Sequence, residues 1–273
     1  METKRDEISI GNVHILALSD GIGKRQVTDL FPEVPVANLL NYSDTVSPNG
    51  TINYKYGSFI INSGTETILV DTGMGPNLPG TLIDQLHRNG LSNDQITIVI
   101  NTHLHPDHVG WNITWKNSQP YQTFPKARYY LPKVDWEHFN QERNYGRFQY
   151  INDSIKPLEQ LGNLHLVEGK EAITKEISLI PTPGHTPGHM SISILSNNQQ
   201  GIILGDVTHF PFQGQETAWE ILFDMDKKQA RETRETILDQ IEKNGSLVGA
   251  GHFANTFGYF IRRSGRRYWQ PLT

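Results

Sequence analysis

The chain has 273 residues, of which 36% are hydrophobic and 19% charged, a composition that excludes a disordered or fibrous protein. Its formal net charge of −5 argues against a dedicated nucleic-acid binder. It contains no cysteine, which excludes disulfides, thiolate metal ligands and cysteine nucleophiles and fits a reducing cytoplasm. The N-terminal residues are too polar for a signal peptide, and no apolar run approaches the roughly 20 residues of a membrane helix. A soluble, cytoplasmic protein is therefore expected.

The first third of the chain combines strands with one long irregular segment. Residues 8–18 predict β-structure, which a turn at residues 19–21 would close. Residues 23–50 show no clean period and contain several Pro and Asn residues. They predict an ordered insertion loop that forms part of a substrate pocket. Two strand-like runs then predict a hairpin around Ser63-Gly64.

The remainder of the chain alternates between helical and strand-like patterns, which is typical of the α/β class. Helices are predicted over residues 81–89, 133–162 and 227–243, and strands over residues 96–100, 127–131, 164–167, 177–180, 190–195, 201–204 and 247–250. No repeat or linker divides the chain. One domain over residues 1–273 is therefore expected, with the helical segment 133–162 as a second decoration of the pocket.

The densest chemical signal is the segment Thr102–His108, which reads Thr-His-Leu-His-Pro-Asp-His. It directly follows a predicted buried strand. His103 and His105 alternate, so both side chains can point the same way, while Asp107 and His108 on the following bend can face a second point. Neutral imidazoles and a carboxylate suit zinc, iron or manganese. So dense a set of ligand-type side chains predicts a metal site rather than a surface turn.

Three further ligand-type residues each follow a predicted strand and a glycine, namely His185, Asp206 and His252. Glycine lets the backbone bend tightly while the next side chain turns into a site. His189 and His209 lie close behind two of these residues, and the sequence does not decide what His189 does. The remaining histidines fit no such pattern and are expected to be structural or solvent-facing: His14, His87, His138 and His165.

The motif His-x-His-x-Asp-His, followed by separate His, Asp and His residues after strands, resembles that of the metallo-β-lactamase fold superfamily. The resemblance runs from about residue 8 to the C-terminus. It implies an αββα sandwich with two divalent metal ions at the edge of the paired sheets, zinc being expected and manganese or iron being the alternatives. The implied ligands are His103, His105 and His185 for the first metal, Asp107, His108 and His252 for the second, and Asp206 as a bridge.

Departures from the superfamily's patterns indicate which branch of the superfamily the chain resembles. The zinc β-lactamases lack the bridging carboxylate that Asp206 would supply, and the diiron flavoproteins carry Glu where this chain has His105. The run Gly205-Asp206-Val-Thr-His209 resembles methyl parathion hydrolase-like proteins, whereas better-known acyl-homoserine lactonases carry Tyr in place of His209. These features favour a lactonase or phosphotriesterase. A glyoxalase II-type thioesterase, a mono-iron persulfide dioxygenase and an RNA-processing nuclease stay open as alternatives.

The expected mechanism uses a water that bridges the two metal ions. Two ions about 4 Å apart lower the pKa of that water toward neutrality, so the hydroxide can attack a lactone, ester or phosphotriester. Asp107 is expected to be a ligand whose second oxygen can also relay a proton. His209 would orient the substrate or stabilise the oxyanion, or else be a hydrogen-bonded wall residue. Asp71 would accept a hydrogen bond from a metal-bound histidine, or else cap a turn.

The expected partner is a small hydrophobic molecule. Aromatic residues in predicted loops near the site indicate an apolar pocket: Phe31, Trp111, Trp115, Phe210, Phe212 and Trp219. The basic cluster at residues 262–267 is expected to form the solvated ends of a hairpin rather than a nucleic-acid site. No membrane partner is expected, and a homodimer is expected from the resemblance alone.

Overall fold

Strands and helices alternate along the computed structural model, which describes residues 6–76, 80–144 and 146–272. The strands are β1 (Glu7–Ile10), β2 (Val13–Gln26), β3 (Thr51–Ser63), β4 (Glu66–Val70), β5 (Ile98–Ile100), β6 (Ile113–Lys116), β7 (Gln119–Gln122), β8 (Arg128–Pro132), β9 (Leu164–Val167), β10 (Glu171–Ala172), β11 (Ile177–Pro181), β12 (Met190–Ser196), β13 (Gln199–Ile203), β14 (Leu247–Gly249), β15 (Phe257–Arg263) and β16 (Arg266–Pro271). The α-helices are α1 (Val27–Leu30), α2 (Val36–Leu39), α3 (Leu82–Arg88), α4 (Pro106–Val109), α5 (Lys133–Phe139), α6 (Gln149–Ser154), α7 (Lys156–Leu161) and α8 (Lys227–Asn244). Short 3-10 helices cover Asn93–Gln95, Glu142–Asn144, Gly205–Val207 and Pro211–Gly214.

Two seven-stranded sheets form the centre of the fold. The first has the order β1-β2-β3-β4-β5-β8-β9 and the second the order β10-β11-β12-β13-β14-β15-β16. Strands β4, β5, β8 and β9 run parallel to one another, as do β13 and β14. The other strand pairs within these two sheets are antiparallel. The N-terminal part of the chain thus builds one sheet and the C-terminal part builds the other.

The two sheets pack face to face over a shared apolar core. Ile68 and Val70 of β4 belong to the same buried cluster as Ile192 of β12 and Ile203 of β13. Side chains alternate between the two faces of a strand, so Leu69 points to the opposite side of the first sheet. Strands that are buried on both faces need apolar residues at every position. This explains the nearly unbroken apolar runs that predict them.

Helices cover both outer faces of this sandwich. Leu69 packs in a second cluster with residues of α3, α5, α6 and α7, and α8 covers the second sheet through Ile237, Leu238 and Ile241. The layers are therefore helices, sheet, sheet and helices, which confirms the predicted αββα architecture. Among the described residues, no helix has the length and apolar character needed to cross a membrane.

Strand β2 corrects the expected turn at residues 19–21. The strand continues to Gln26, with a shift of register against β3 at residues 19–22. The polar side chain that suggested a turn is buried instead: Asp20 is 2% exposed and accepts three backbone N–H groups from residues 74–82. A buried carboxylate with three donors is well satisfied, which is why it can lie within a strand.

The two segments predicted to surround the pocket, residues 23–50 and 133–162, pack in different parts of the fold. The expected loop 23–50 starts too early, because residues 23–26 pair with β3. The rest of it carries α1 and α2, whose apolar side chains form a separate cluster with residues 210–221. Segment 133–162 is helical as predicted, with α5, α6 and α7. These helices pack on the outer face of the first sheet.

The predicted ligand residues all follow strands at one edge where the two sheets meet. Met190 N–H donates to Thr102 O across this edge at 2.8 Å, and Lys55 N–H donates to His252 O at 3.3 Å. A Cβ atom on Gly57 of β3 would lie 2.2 Å from Gly251 O, so the two backbones approach too closely for any side chain. Glycine at position 57 therefore permits the contact beside His252.

We predict that Gly57→Ala lowers the free energy of unfolding by ~1–3 kcal/mol, because the added methyl must push the two backbones apart. The control is Gly64→Asn in the β3–β4 turn. Gly64 has φ +63° and no neighbour within 4 Å of an added Cβ, and Asn tolerates this conformation. The control should stay within ~0.5 kcal/mol of the wild type in urea unfolding. A wild-type midpoint for Gly57→Ala would contradict the close approach.

Candidate metal centre

Three histidines from both sheets form the first group of the site. His103 Nε2 lies 3.2 Å from His105 Nδ1, which lies 2.8 Å from His185 Nε2. His103 and His185 are fully buried, and His105 is partly buried. His105 thus presents its Nδ1 atom to the group, whereas the other two present Nε2. Three converging nitrogen atoms at these distances suit one metal ion.

Asp107, His108 and His252 form the second group. His108 Nε2 lies 3.5 Å from Asp107 Oδ2, and His252 Nε2 lies 3.8 Å from the same oxygen. Asp107 and His108 are on α4, and His252 follows β14. His108 Nε2 is buried and has no hydrogen-bond partner among the described residues. An unpaired, buried imidazole nitrogen turned toward a carboxylate and a second imidazole is what a metal site requires.

Asp206 lies between the two groups. Its Oδ2 atom is 3.2 Å from His185 Nε2 of the first group and 3.5 Å from His108 Nε2 of the second. Its Oδ1 atom is 3.2 Å from His252 Nε2. Asp206 is buried on the 3-10 helix Gly205–Val207. One carboxylate therefore reaches both groups, as a bridging ligand would. The structure brings all seven predicted ligand residues together.

Asp71 supports one histidine from each group. Its carboxylate accepts a hydrogen bond from His108 Nδ1 at 2.8 Å and from the Thr102 hydroxyl at 2.9 Å. The Thr102 oxygen in turn accepts from His103 Nδ1 at 3.0 Å. Asp71 adopts φ +59°, which is uncommon for a residue other than glycine. Its partners fix the outer nitrogens of His103 and His108, so the inner nitrogens must face the site.

His185 and His252 are held by other groups. Asp224 Oδ1 accepts from His185 Nδ1 at 2.9 Å, and Asp224 is itself paired with Arg234 at 2.9 Å. His252 Nδ1 donates to Lys55 O at 2.6 Å. Sequence reasoning missed the roles of Asp224 and Arg234, because neither lies beside a ligand in the chain.

His189 positions the backbone of Asp206. Its Nδ1 atom donates to Thr182 O at 3.0 Å, and its Nε2 atom accepts the Asp206 N–H at 2.8 Å. Burial lowers the pKa of His189 to about 3, which keeps the ring neutral and able to accept. Gly205 has φ +58°, and a Cβ there would lie 2.6 Å from His189 Nε2. Glycine is thus needed for this contact.

Asp135 joins the two ligand-bearing loops and was missed by the sequence analysis. It is buried on α5 and accepts from Leu104 N, the Thr186 hydroxyl and Gly188 N at 3.1, 2.8 and 2.6 Å. Burial raises the pKa of Asp135 to about 6. The presence of an acidic residue beside apolar positions of a predicted helix could have indicated a buried role for Asp135. The residues that donate hydrogen bonds to it, however, lie more than 30 positions away in the sequence.

His209 lies against the bridging position without a hydrogen-bond partner. Its Nε2 atom is 3.1 Å from Asp206 Oδ2, and its ring stacks on that of His252 with centroids 5.3 Å apart. Neither ring nitrogen has a hydrogen bond among the described residues, although both are buried. Burial lowers the pKa of His209. A neutral ring with unused nitrogens can contact a metal ion or a substrate.

The electrostatics of the cluster favour bound cations. Burial opposes ionisation of Asp206, but the surrounding imidazoles, with His252 and His108 foremost, hold its pKa well below the usual range. Burial also opposes protonation of His185, yet Asp206 and Asp224 raise its pKa to about 9. Protons therefore balance the carboxylates when no metal is bound, and divalent cations would displace them. The donor set of imidazoles and carboxylates without sulfur suits zinc, manganese or iron.

A cavity of about 250 Å³ opens onto the cluster. Besides site residues, its walls are mostly apolar or aromatic: Leu30, Tyr54, Tyr56, Met74, Phe210, Ile221 and Phe223, with Arg25. Of the predicted pocket aromatics, Phe210 alone lines this cavity among the described residues. No described residue of segment 133–162 lines this cavity, and a contribution of the segment to the substrate pocket stays a prediction. Arg25 of β2 and Leu30 of α1, which both fall within the predicted insertion 23–50, also line the cavity.

The other predicted pocket aromatics lie elsewhere. Phe31, Phe212 and Trp219 pack behind Phe210 in the cluster around α1 and α2. Trp111 donates its indole N–H to Asp20 at 3.1 Å, and Trp115 is 46% exposed on β6. Loop position alone did not distinguish cavity walls from core packing.

Comparison with known proteins agrees with this arrangement. The chain matches the family described as the metallo-beta-lactamase superfamily over residues 58–252, which is more than half of its length. The chain belongs to this superfamily. The matched region contains all seven candidate ligand residues.

Relatives and solved structures extend the comparison. The chain is 25% identical over 184 residues to an N-acyl homoserine lactonase of Bacillus cereus, a match covering 59% of this chain and 66% of that protein. It resembles AbOPH, a hydrolase of the beta lactamase superfamily, with a TM-score of 0.87, 26% identity and coverage of 98% of this chain and 97% of that one. AidC, a dizinc quorum-quenching lactonase, superposes with a TM-score of 0.84 over 98% of this chain and 97% of its own. At 22% identity, this last likeness shows the fold alone.

We predict that Asp71→Asn lowers metal affinity about 10- to 100-fold. Oδ2 of Asp71 accepts from His108 Nδ1 and the Thr102 hydroxyl, and Oδ1 accepts from the Thr102 N–H at 2.7 Å. An amide nitrogen cannot accept a hydrogen bond, so the variant loses the contacts of one of these two atoms. Asn has a similar size and tolerates positive φ, so the backbone should be retained. Metal content per chain after dialysis against a weak chelator measures the effect. Asp84→Asn, at an exposed position of α3, is the control. Equal metal retention in both variants would leave Asp71 with a turn-capping role only.

Proposed function

We propose that this chain is a hydrolase with two divalent metal ions, zinc foremost, that cleaves a small lactone or ester carrying an apolar group. The observation that carries the proposal is the position of Asp206 between two complete groups of three ligand-type residues. His103, His105 and His185 would hold one ion, and Asp107, His108 and His252 the other. Two such ions, when bound, activate water and polarise a carbonyl oxygen.

The protein's own groups would orient and protonate the substrate. Asp107 has the most exposed carboxylate of the cluster, with 19% of its side chain accessible, and it lines the cavity. The His108 and His252 imidazoles hold the pKa of Asp107 below its usual range in spite of burial, so its ionised carboxylate can accept a proton and pass it to a leaving oxygen. His209 faces the same cavity with unused ring nitrogens and can donate a hydrogen bond to the substrate. Its place beside Asp206 and His185 also allows it to be a metal ligand.

The cavity supports a substrate with an apolar group. Phe210, Ile221 and Phe223 form an apolar wall beside His209, and Tyr54 and Tyr56 face them from β3. Removing the apolar part of a substrate from water favours binding by about 25 cal/mol per Å² of buried surface. Relatives named as N-acyl homoserine lactonases support a lactone with an acyl chain. A phosphotriester or a thioester is the alternative substrate of the same centre.

Nucleic acid is disfavoured as a substrate. Arg262 and Arg267 of the basic cluster both donate to Glu242 of α8, each at 3.0 Å. Their charge is thus partly neutralised within the protein. A mono-iron dioxygenase is also disfavoured, because both groups of metal-ligand residues are complete. Cytoplasmic location and a homodimer stay predictions from the sequence.

Metal analysis followed by a substrate screen tests the proposal. Protein purified without added metal should contain about two divalent ions per chain, with zinc the expected metal. It should hydrolyse lactones with long acyl chains at a higher kcat/KM than short, hydrophilic lactones, because the apolar wall binds the chain. Thioesters, aryl esters and phosphotriesters are measured in parallel. One iron per chain without hydrolysis would refute the reaction class, and equal rates on both kinds of lactone would refute the apolar selection.

We predict that His209→Ala lowers kcat about 100-fold while the metal content per chain stays at the wild-type value, because the variant loses a hydrogen bond to the reacting substrate. His87→Ala, at an exposed position of α3, is the control and should leave both unchanged. Loss of a metal ion in His209→Ala would instead make His209 a ligand. Unchanged kcat, KM and metal content would leave it as a wall residue.

A further inference from the structure

Arg234 of α8 is a buried cation within the apolar side of its helix. It is 1% exposed, although the adjacent buried positions of α8 are apolar, including Ala230, Ile237 and Leu238. Burying a charged group costs several kcal/mol unless it is well paired. An apolar side chain would serve packing alone at lower cost. The position of Arg234 therefore calls for an explanation in its contacts.

The guanidinium contacts the 3-10 helix Gly205–Val207 and residues of the irregular segment 215–226. Arg234 Nε donates to Val207 O at 2.9 Å, and Nη1 donates to Thr217 O at 2.8 Å. Nη2 donates to Asp224 Oδ2 at 2.9 Å. The planar fork of an arginine suits such simultaneous contacts, which a lysine could satisfy only in part.

Arg234 is connected to His185 through the carboxylate of Asp224. Asp224 is fully buried at its side chain, and its other oxygen accepts from His185 Nδ1 at 2.9 Å. His185 and Arg234 thus bind the two different oxygens of one buried carboxylate, which holds the carboxylate from both sides. A carboxylate held in this way fixes the orientation of His185 and directs Nε2 toward His103 and His105.

Arg234 also contacts the backbone next to Asp206. Val207 follows Asp206 on the same 3-10 helix, so a hydrogen bond to Val207 O restrains the backbone beside the bridging carboxylate. The ligands of the other group have different supports. His108 is held by Asp71 and His252 by Lys55 O. Asp71 also supports His103 through Thr102, and Asp206 reaches both groups. Among the histidines, the contacts of Arg234 thus lead to His185 of the first group.

We propose that Arg234 is a positioning residue that holds His185 through Asp224, and so determines the metal affinity of the position to which His185 belongs more than that of the other position. Its contact with Val207 O lies beside the shared ligand Asp206 and would act on both positions alike. The inference rests on the proposed metal centre. The metal affinity of the position formed by His103, His105 and His185 should depend on Arg234. The position formed by Asp107, His108 and His252 should be largely independent of it.

Titration of the metal-stripped full chain with Zn²⁺ tests this asymmetry. We expect Arg234→Met to weaken one binding step about 10- to 100-fold and to leave the other within about threefold of the wild type. Arg231→Met is the matched control. Arg231 lies on the exposed face of the same helix and pairs with Glu235, so both binding steps should be unchanged. Co²⁺ absorption spectra of the same variants report which ligand geometry is disturbed.

The route through Asp224 is tested by a double-mutant cycle. If Arg234 acts mainly through this carboxylate, Arg234→Met should weaken the same binding step far less in an Asp224→Asn background than in the wild type. Arg234→Lys, which keeps the charge, should recover part of the lost affinity. Asp224→Asn alone should weaken the same step as Arg234→Met, and it serves if the methionine variant does not fold.

Different failures have different meanings. A wild-type chain that binds no Zn²⁺ would refute the proposed metal centre itself. A wild type with two binding steps and an Arg234→Met protein with both steps unchanged would overturn the inference alone. Equal weakening of both steps, together with a lowered unfolding temperature, would also overturn it, because Arg234 would then support the fold in general.

Discussion

The site depends on one constraint, which is that several imidazole nitrogens must converge on the same buried points. His105 Nδ1 lies 3.2 Å from His103 Nε2 and 2.8 Å from His185 Nε2, distances at which protonated rings would repel one another. Such rings stay in place only if their outer nitrogens are fixed from behind. Asp71 and Asp224 provide this for different histidines. The carboxylates behind the ligands are therefore as much a part of the site as the ligands.

The constraint also couples the site to the packing of the two sheets. Residues His103 to His108 follow the first sheet, whereas His185, Asp206 and His252 follow strands of the second. The ligand set exists only when the sheets are packed together, so the core between them sets the distances at the site. Asp135 reinforces this at the edge, since it accepts hydrogen bonds from loops that follow different sheets.

The α/β class and the residues that converge at the candidate site were predictable because both give local signals, whereas the αββα arrangement was implied by the family resemblance. Strands buried on both faces appear as apolar runs, and the ligands follow those runs directly. The partners of the ligands were not predictable in this way. Asp135 and Arg234 act across many residues of chain, and their side chains give no periodic signal. The prediction of the cavity walls missed residues for a different reason: Tyr54 lies within β3, outside the loops whose aromatic residues were predicted to form the pocket.

The segment that carries Asp224 contacts both the cavity wall and a histidine of the candidate metal centre. Leu222 N–H donates to Leu30 O at 2.7 Å, which fixes this segment against the insertion helix α1. Phe223 lines the cavity, and the next residue, Asp224, holds His185. A substrate that contacts Phe223 would therefore contact the same short segment as Arg234. This segment is held by Leu30 O on one side and by Arg234 on the other, so a shift of Phe223 would also move the carboxylate that holds His185. Tyr54 and Tyr56 line the cavity from β3, so a shift of their side chains would not involve this segment.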